Sequence, residues 1–133
     1  MRTIALLLSA VLFTPLAWST KPLPGWKALG SSEIDATFRR KSLGDGFHYD
    51  YQFHADGALT GAEMTKDVRG RWTADGARLC LHRERPRKLD ECFEVHQRGR
   101  EINLLSGGQL LFRGELAQIE PSKHTRKRQA TPP

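Results

Sequence analysis

Residues 47–54 alternate. Phe47, Tyr49, Tyr51 and Phe53 are aromatic, and His48, Asp50, Gln52 and His54 between them are polar. A period of two predicts a strand with one buried and one wet face. Asp56-Gly57 signals a hairpin into Ala58-Leu59-Thr60-Gly61. Asp75-Gly76 signals another, between 68–74 (VRGRWTA) and 77–82 (ARLCLH). A charged loop (RERPRKLD) follows. Then come 91–96 (ECFEVH), a turn around Arg98-Gly99, 101–105 (EINLL), a Ser106-Gly107-Gly108 turn and 110–116 (LLFRGEL). Short strands with turn signals every eight to twelve residues or so predict a mainly β fold. The expected form is an antiparallel meander of about six or seven strands, making a small lipocalin-like barrel or half-barrel.

One segment carries a helical period. In 31–41 (SSEIDATFRRK), Ile34 and Phe38 are four apart and share a face. Ser31 or Ser32 suits the N-cap, and acids early with bases late suit the helix dipole. This predicts one short N-terminal helix, ended by Gly44-Asp45-Gly46.

The strand register can be tested against itself. A two-residue Asp75-Gly76 loop sets Trp72 opposite Leu79 and Arg71 opposite Cys80. Pairing Cys80 with Cys92 sets Leu79 opposite Phe93 and Arg78 opposite Glu94. A two-residue Arg98-Gly99 loop sets Val95 opposite Ile102 and Phe93 opposite Leu104. One face then collects Trp72, Leu79, Phe93, Val95, Ile102 and Leu104. The other collects Arg71, Thr73, Arg78, Cys80, Cys92, Glu94, His96 and Asn103. A slip of one residue would mix the two faces. The disulfide is thereby placed on the outer, polar face, beside an Arg78–Glu94 cross-strand ion pair.

The first residues change the picture by fixing a compartment. Arg2, the apolar run 4–13 (IALLLSAVLF), Pro15 and Ala17-Trp18-Ser19 have the order of a secretory signal peptide cut after Ser19. The run is shorter than the roughly 20 residues a membrane span needs, so no transmembrane helix is expected after cleavage. The expected organisation is a signal peptide at 1–19, a Pro/Gly-rich lead-in or linker at 20–30, one β-domain at 31–118 and a basic disordered tail at 119–133. Export to the periplasm or beyond makes a structural Cys80–Cys92 bridge the expected state of the two cysteines.

Without Arg2 the chain has 20 basic and 15 acidic side chains, a net charge of +5. The body, 20–118, holds 16 basic and 14 acidic residues. The excess therefore sits in the tail, where Lys123, Arg126, Lys127 and Arg128 suit an anionic surface such as lipid or polysaccharide. Nucleic acid is not the expected partner. The loop with Arg83, Arg85, Arg87 and Lys88 is a second place for an anion contact.

Other chemistry has weaker signals. His48, Asp50 and His54 share a predicted strand face, but His48 and His54 would stand about 20 Å apart, too far to share one ion. No metal or cofactor is expected. Tyr49, Tyr51, Phe53 and Trp72 either line a ligand cavity or form the core, as in small filled barrels. Nucleophile elbow, P-loop, dinucleotide and HExxH motifs are all missing. The expectation is a protein without catalytic activity.

A resemblance covers roughly residues 28–116. Ser32-Glu33-Ile34, Tyr51-x-Phe53-x-x-Asp56-Gly57-x-x-x-Gly61, Gly70-x-Trp72-x-x-x-Gly76-x-x-Leu79-Cys80 and Cys92-x-x-Val95 resemble a family of small exported proteobacterial β-domains of unassigned function. The resemblance implies a periplasmic lipocalin-like or half-barrel fold and carries over no binding residue. The expected function is a periplasmic binding or interaction module for a protein or small ligand of the cell envelope. Two alternatives are an envelope protein using its basic tail on anionic lipid or polysaccharide, and an inhibitor or immunity-type protein acting on a secreted hydrolase.

Overall fold

The computed structural model describes residues 20–119. In chain order these form β1 (Lys27–Ala28), α1 (Ser31–Phe38), β2 (Lys41–Gly44), β3 (Tyr49–Phe53), β4 (Ala58–Glu63), β5 (Lys66–Asp75), β6 (Arg78–Arg85), β7 (Leu89–Arg98), β8 (Glu101–Ser106) and β9 (Gln109–Gln118). From β2 to β9 each strand pairs antiparallel with the next, and β2 also pairs with β9. Eight strands therefore close a small lipocalin-like barrel. Among the described residues no helix is long and apolar enough to cross a membrane.

The strand count exceeds the sequence expectation because the helix is shorter than its pattern. Arg40 adopts a positive φ of 64°, which ends the helical path. Lys41 then opens β2, which pairs with β3 and closes the ring against β9. The cap also differs from the serine expected there. Gly30 occupies the N-cap, and Glu33 reaches back to accept its N–H at 3.4 Å. Ser31 instead donates to the Ala74 carbonyl at 3.4 Å, which ties the helix to β5.

An up-and-down barrel gathers its turns at two ends. Helix α1 contacts β2, β5 and β6 and plugs one end. Its fully buried Ile34 and Phe38 enter the core, with Phe38 packed edge-on to Phe53 at 5.0 Å between ring centroids. Phe53 in turn meets the Trp72 ring at 5.6 Å. The β2–β3, β4–β5, β6–β7 and β8–β9 turns form the other end, the rim.

The two-faced register has the faces assigned above. Trp72, Leu79, Phe93, Val95, Ile102 and Leu104 are all buried in one core. Cys80 pairs with Cys92, Leu79 with Phe93 and Arg78 with Glu94, and the disulfide is formed. Both neighbouring hairpins are shifted by two residues. Trp72 stands opposite Leu81, and Val95 opposite Leu104. The turns are Gly76-Ala77 and Gly99-Arg100, because Asp75 pairs with Arg78 and Arg98 with Glu101. Each turn glycine takes a positive φ, 58° and 59°, and is the only residue of its turn to do so. That suits a turn with glycine at the first central position.

The outer face is less wet than its composition suggests. Residues 20–30 lie on the barrel as well as leading into it. β1 pairs with β7, Ala28 opposite His96 and Lys27 opposite Gln97, beyond Arg78, where β6 begins. Cys80, His96 and Asn103, expected on a hydrated face, are 2–5% exposed. Asn103 Oδ1 accepts from Arg113 Nε at 3.1 Å, and His96 Nε2 stands 3.2 Å from Glu94 Oε1.

Candidate functional site

The rim is where the chain departs most from a polar surface. The exposed large apolar side chains among the described residues are Leu23, Phe47, Met64, Leu110 and Leu111. All but Leu23 belong to the rim. Phe47 comes from the β2–β3 turn and is 88% exposed, and Met64 from the β4–β5 turn is 69% exposed. Leu110 and Leu111 open β9 beside the β8–β9 turn. The remaining rim turn, β6–β7, presents Arg85, Arg87 and Lys88, all exposed. Three hairpins thus carry apolar side chains and the fourth carries three bases.

Local sequence explains why Phe47 is outside. The aromatic alternation predicts it on the buried face with Tyr49, Tyr51 and Phe53, but β3 begins only at Tyr49. The loop before it is organised by Asp45. One carboxylate oxygen accepts the N–H groups of Phe47, His48 and Tyr49 at 2.9, 2.6 and 3.2 Å, and the other stands 2.7 Å from His48 Nδ1. Burial works to raise the Asp45 pKa, but these hydrogen bonds outweigh it and hold the carboxyl well below its usual range. Met64 N–H donates to the His48 carbonyl at 2.6 Å, so Phe47 and Met64 rise from two turns that are themselves joined.

Beneath the rim lies an open outer groove of about 950 Å³ between β9, β2 and β3. Ser42, Gly44, Ala62, Gly114 and Ala117 give it small walls, and Phe47 and Met64 stand at its upper edge. Two pairs among its charged groups are engaged with one another: Arg100 with Glu115 at 3.1 Å, and Asp45 with His48. Asp50 also borders it, with its pKa raised by partial burial. Gly114 lacks a Cβ because that atom would sit 2.5 Å from the Tyr49 hydroxyl, which donates to the Arg113 carbonyl at 2.7 Å.

The aromatic row lies in the core. Tyr51 and Phe53 are fully buried, and Tyr49 and Trp72 nearly so. Trp72 Nε1 donates to the His54 carbonyl at 3.0 Å. Burial pushes the hydroxyls of Tyr49 and Tyr51 above the ordinary tyrosine range.

Arg83 stands apart from the other bases of the loop proposed for an anion contact. It is in phase with Leu79 and Leu81, so it points into the barrel and is only 5% exposed. Nη1 donates to Glu91 Oε2 at 2.6 Å and Nη2 to the Tyr51 hydroxyl at 3.0 Å. Nε stands 3.2 Å from Glu63 Oε1, an ion-pair distance, without making a hydrogen bond. Tyr51 donates to that same carboxylate oxygen at 2.5 Å. Arg83 is thus a buried cation between two carboxylates and makes no surface anion contact, whereas Arg85, Arg87 and Lys88 remain free to make one.

The histidines of the predicted strand go separate ways. His48 faces Asp45, and His54 Nε2 stands 2.7 Å from Thr60 Oγ1. No group of three or more His, Cys, Asp or Glu side chains suited to a metal ion occurs among the described residues. Lys123, Arg126, Lys127 and Arg128 lie outside the described residues, as does the proposed cut after Ser19.

Comparison with known proteins finds no matching family model, no similar curated protein and no similar solved structure.

Proposed function

We propose that this chain is an exported binding module of the cell envelope that meets its partner with the rim of its barrel. The observation that carries the reading is the rim's composition: Phe47, Met64, Leu110 and Leu111 are exposed there, together with Arg85, Arg87 and Lys88. Exposed apolar side chains scattered singly need no explanation, but a concentration at one end marks an interaction surface. The signal-like start of the sequence and the formed disulfide support export.

Site-specific photo-cross-linking in the exporting cell tests this. A photoreactive residue at position 47 or 110 is expected to capture an envelope component. The same residue at position 77, in the β5–β6 turn at the plugged end, is expected to capture none. Equal capture from both ends, or none from the rim, contradicts the proposal.

A further inference from the structure

The described chain begins and ends toward opposite poles of the barrel. Thr20 donates its backbone N–H to Glu94 Oε2 at 3.2 Å, and its hydroxyl lies beside Gly108 in the β8–β9 turn. At the other end, Gln118 pairs with Lys41 beside the helix.

We propose that the rim docks on the surface of an anionic lipid bilayer. Phe47, Met64, Leu110 and Leu111 enter the boundary between headgroups and acyl chains, and Arg85, Arg87 and Lys88 meet the lipid phosphates. The inference rests on the rim being the contact surface, as proposed above, and names what it contacts.

Two observations favour a bilayer over a folded protein. The apolar side chains project from three separate hairpins around a ring, with the basic hairpin completing it. A fluid, planar surface can take each of them independently, with no matching pocket. The apex Arg85-Pro86-Arg87-Lys88 contains three bases and no acid, which is complementary to anionic headgroups. Glu84 and Asp90 flank it, and beside Met64 the exposed Lys66 and Asp67 offset one another, so net attraction is confined to the apex and binding needs both the apolar and the basic sets.

The test is vesicle flotation of the protein purified as its host exports it. The vesicles are phosphatidylcholine alone, or phosphatidylcholine mixed with phosphatidylglycerol. The expected result is binding to the mixed vesicles that falls on raising salt and is much weaker on phosphatidylcholine alone. The variant combining Phe47→Ser, Met64→Ser, Leu110→Ser and Leu111→Ser is expected to lose about tenfold or more in partitioning. The variant combining Arg85→Gln, Arg87→Gln and Lys88→Gln is expected to lose roughly a hundredfold, since each base near an anionic surface is worth about fivefold. Arg78→Gln, at the plugged end, is expected to change nothing. All these side chains are exposed, and an unchanged unfolding midpoint confirms that the variants fold. Vesicle binding that both rim variants retain overturns the inference, because another segment then carries it. Absence of vesicle binding also overturns it. If rim cross-links to an envelope protein persist in that case, the rim remains the contact surface with a protein as its partner. If those cross-links are also missing, both readings fall.

Discussion

Arg83 reaches diagonally across the β6–β7 ladder to Glu91, bringing Nη1 to 2.6 Å from Glu91 Oε2 inside the barrel. With Glu63 and the Tyr51 hydroxyl it forms a buried polar knot under the rim. This knot replaces apolar packing at the upper end of the core and ties together β3, β4, β6 and β7.

Removing the cation from that knot leaves two carboxylates facing one another. Arg83→Met is expected to cost about 3 kcal/mol, near the low end for breaking a buried pair, because Glu63 and Glu91 are 32% and 33% exposed. Adding Glu63→Gln and Glu91→Gln to it is expected to recover part of that loss. Urea unfolding of the single and triple variants checks this. A triple variant less stable than Arg83→Met would contradict the knot as described.

Trp72 anchors the plugged end. It is 3% exposed, meets Phe53 edge-on, and lies 5.2 Å from the Arg39 guanidinium carbon. Trp72→Ala is expected to cost about 3–5 kcal/mol in chemical denaturation, as for a buried aromatic. A loss below about 1 kcal/mol would place the ring outside the core.

The bridge between Cys80 and Cys92 closes a sequence separation of 12 residues. In the chain-entropy model it stabilises the fold by roughly 3 kcal/mol. Replacing both cysteines with alanine is expected to lower the denaturation midpoint accordingly while leaving the strand content of the circular dichroism spectrum intact. Mass spectrometry of the exported protein is expected to show no free thiol. Two free thiols would remove the bridge from the account.

Asp45 gives the β2–β3 turn a dependence on pH. Its hydrogen bonds put its folded-state pKa below the ordinary value of 3.8. A carboxyl depressed on folding contributes stability that is complete above the unfolded value and is lost as pH falls through the folded one. The turn is therefore expected to stay ordered through mildly acidic conditions and to loosen only in strong acid. Carboxyl NMR titration is expected to place the Asp45 midpoint below the ordinary value of 3.8. A midpoint at or above 3.8 would contradict the loop geometry.

Much of the barrel can be read in the sequence because alternation and turn residues agree about its faces. Trp72, Leu79 and Phe93 fall inside whichever of two registers the hairpins choose, since a shift of two residues preserves the face. For the same reason alternation could not distinguish Trp72 opposite Leu79 from Trp72 opposite Leu81. Only the disulfide pinned a ladder to the residue, at Cys80–Cys92. Arg83 was legible in principle, being in phase with Leu79 and Leu81, but a charged run reads as a solvated loop unless the carboxylates of Glu63 and Glu91 are known to face it. The rim was not legible. Phe47 keeps the aromatic alternation of the strand, and only the Asp45 loop, formed in three dimensions, turns it out. Met64 and Leu110 carry no signal in one dimension, since their shared pole follows from closing the meander into a ring.

The most direct measurement is hydrogen–deuterium exchange of the exported protein with and without isolated envelope membranes. The account predicts slowed exchange upon binding at 45–48, 64–65, 85–88 and 107–111, with the plugged-end turns at 54–57, 76–77 and 99–100 unchanged. Protection confined to the plugged end, or to residues 120–133, would contradict a rim-borne function.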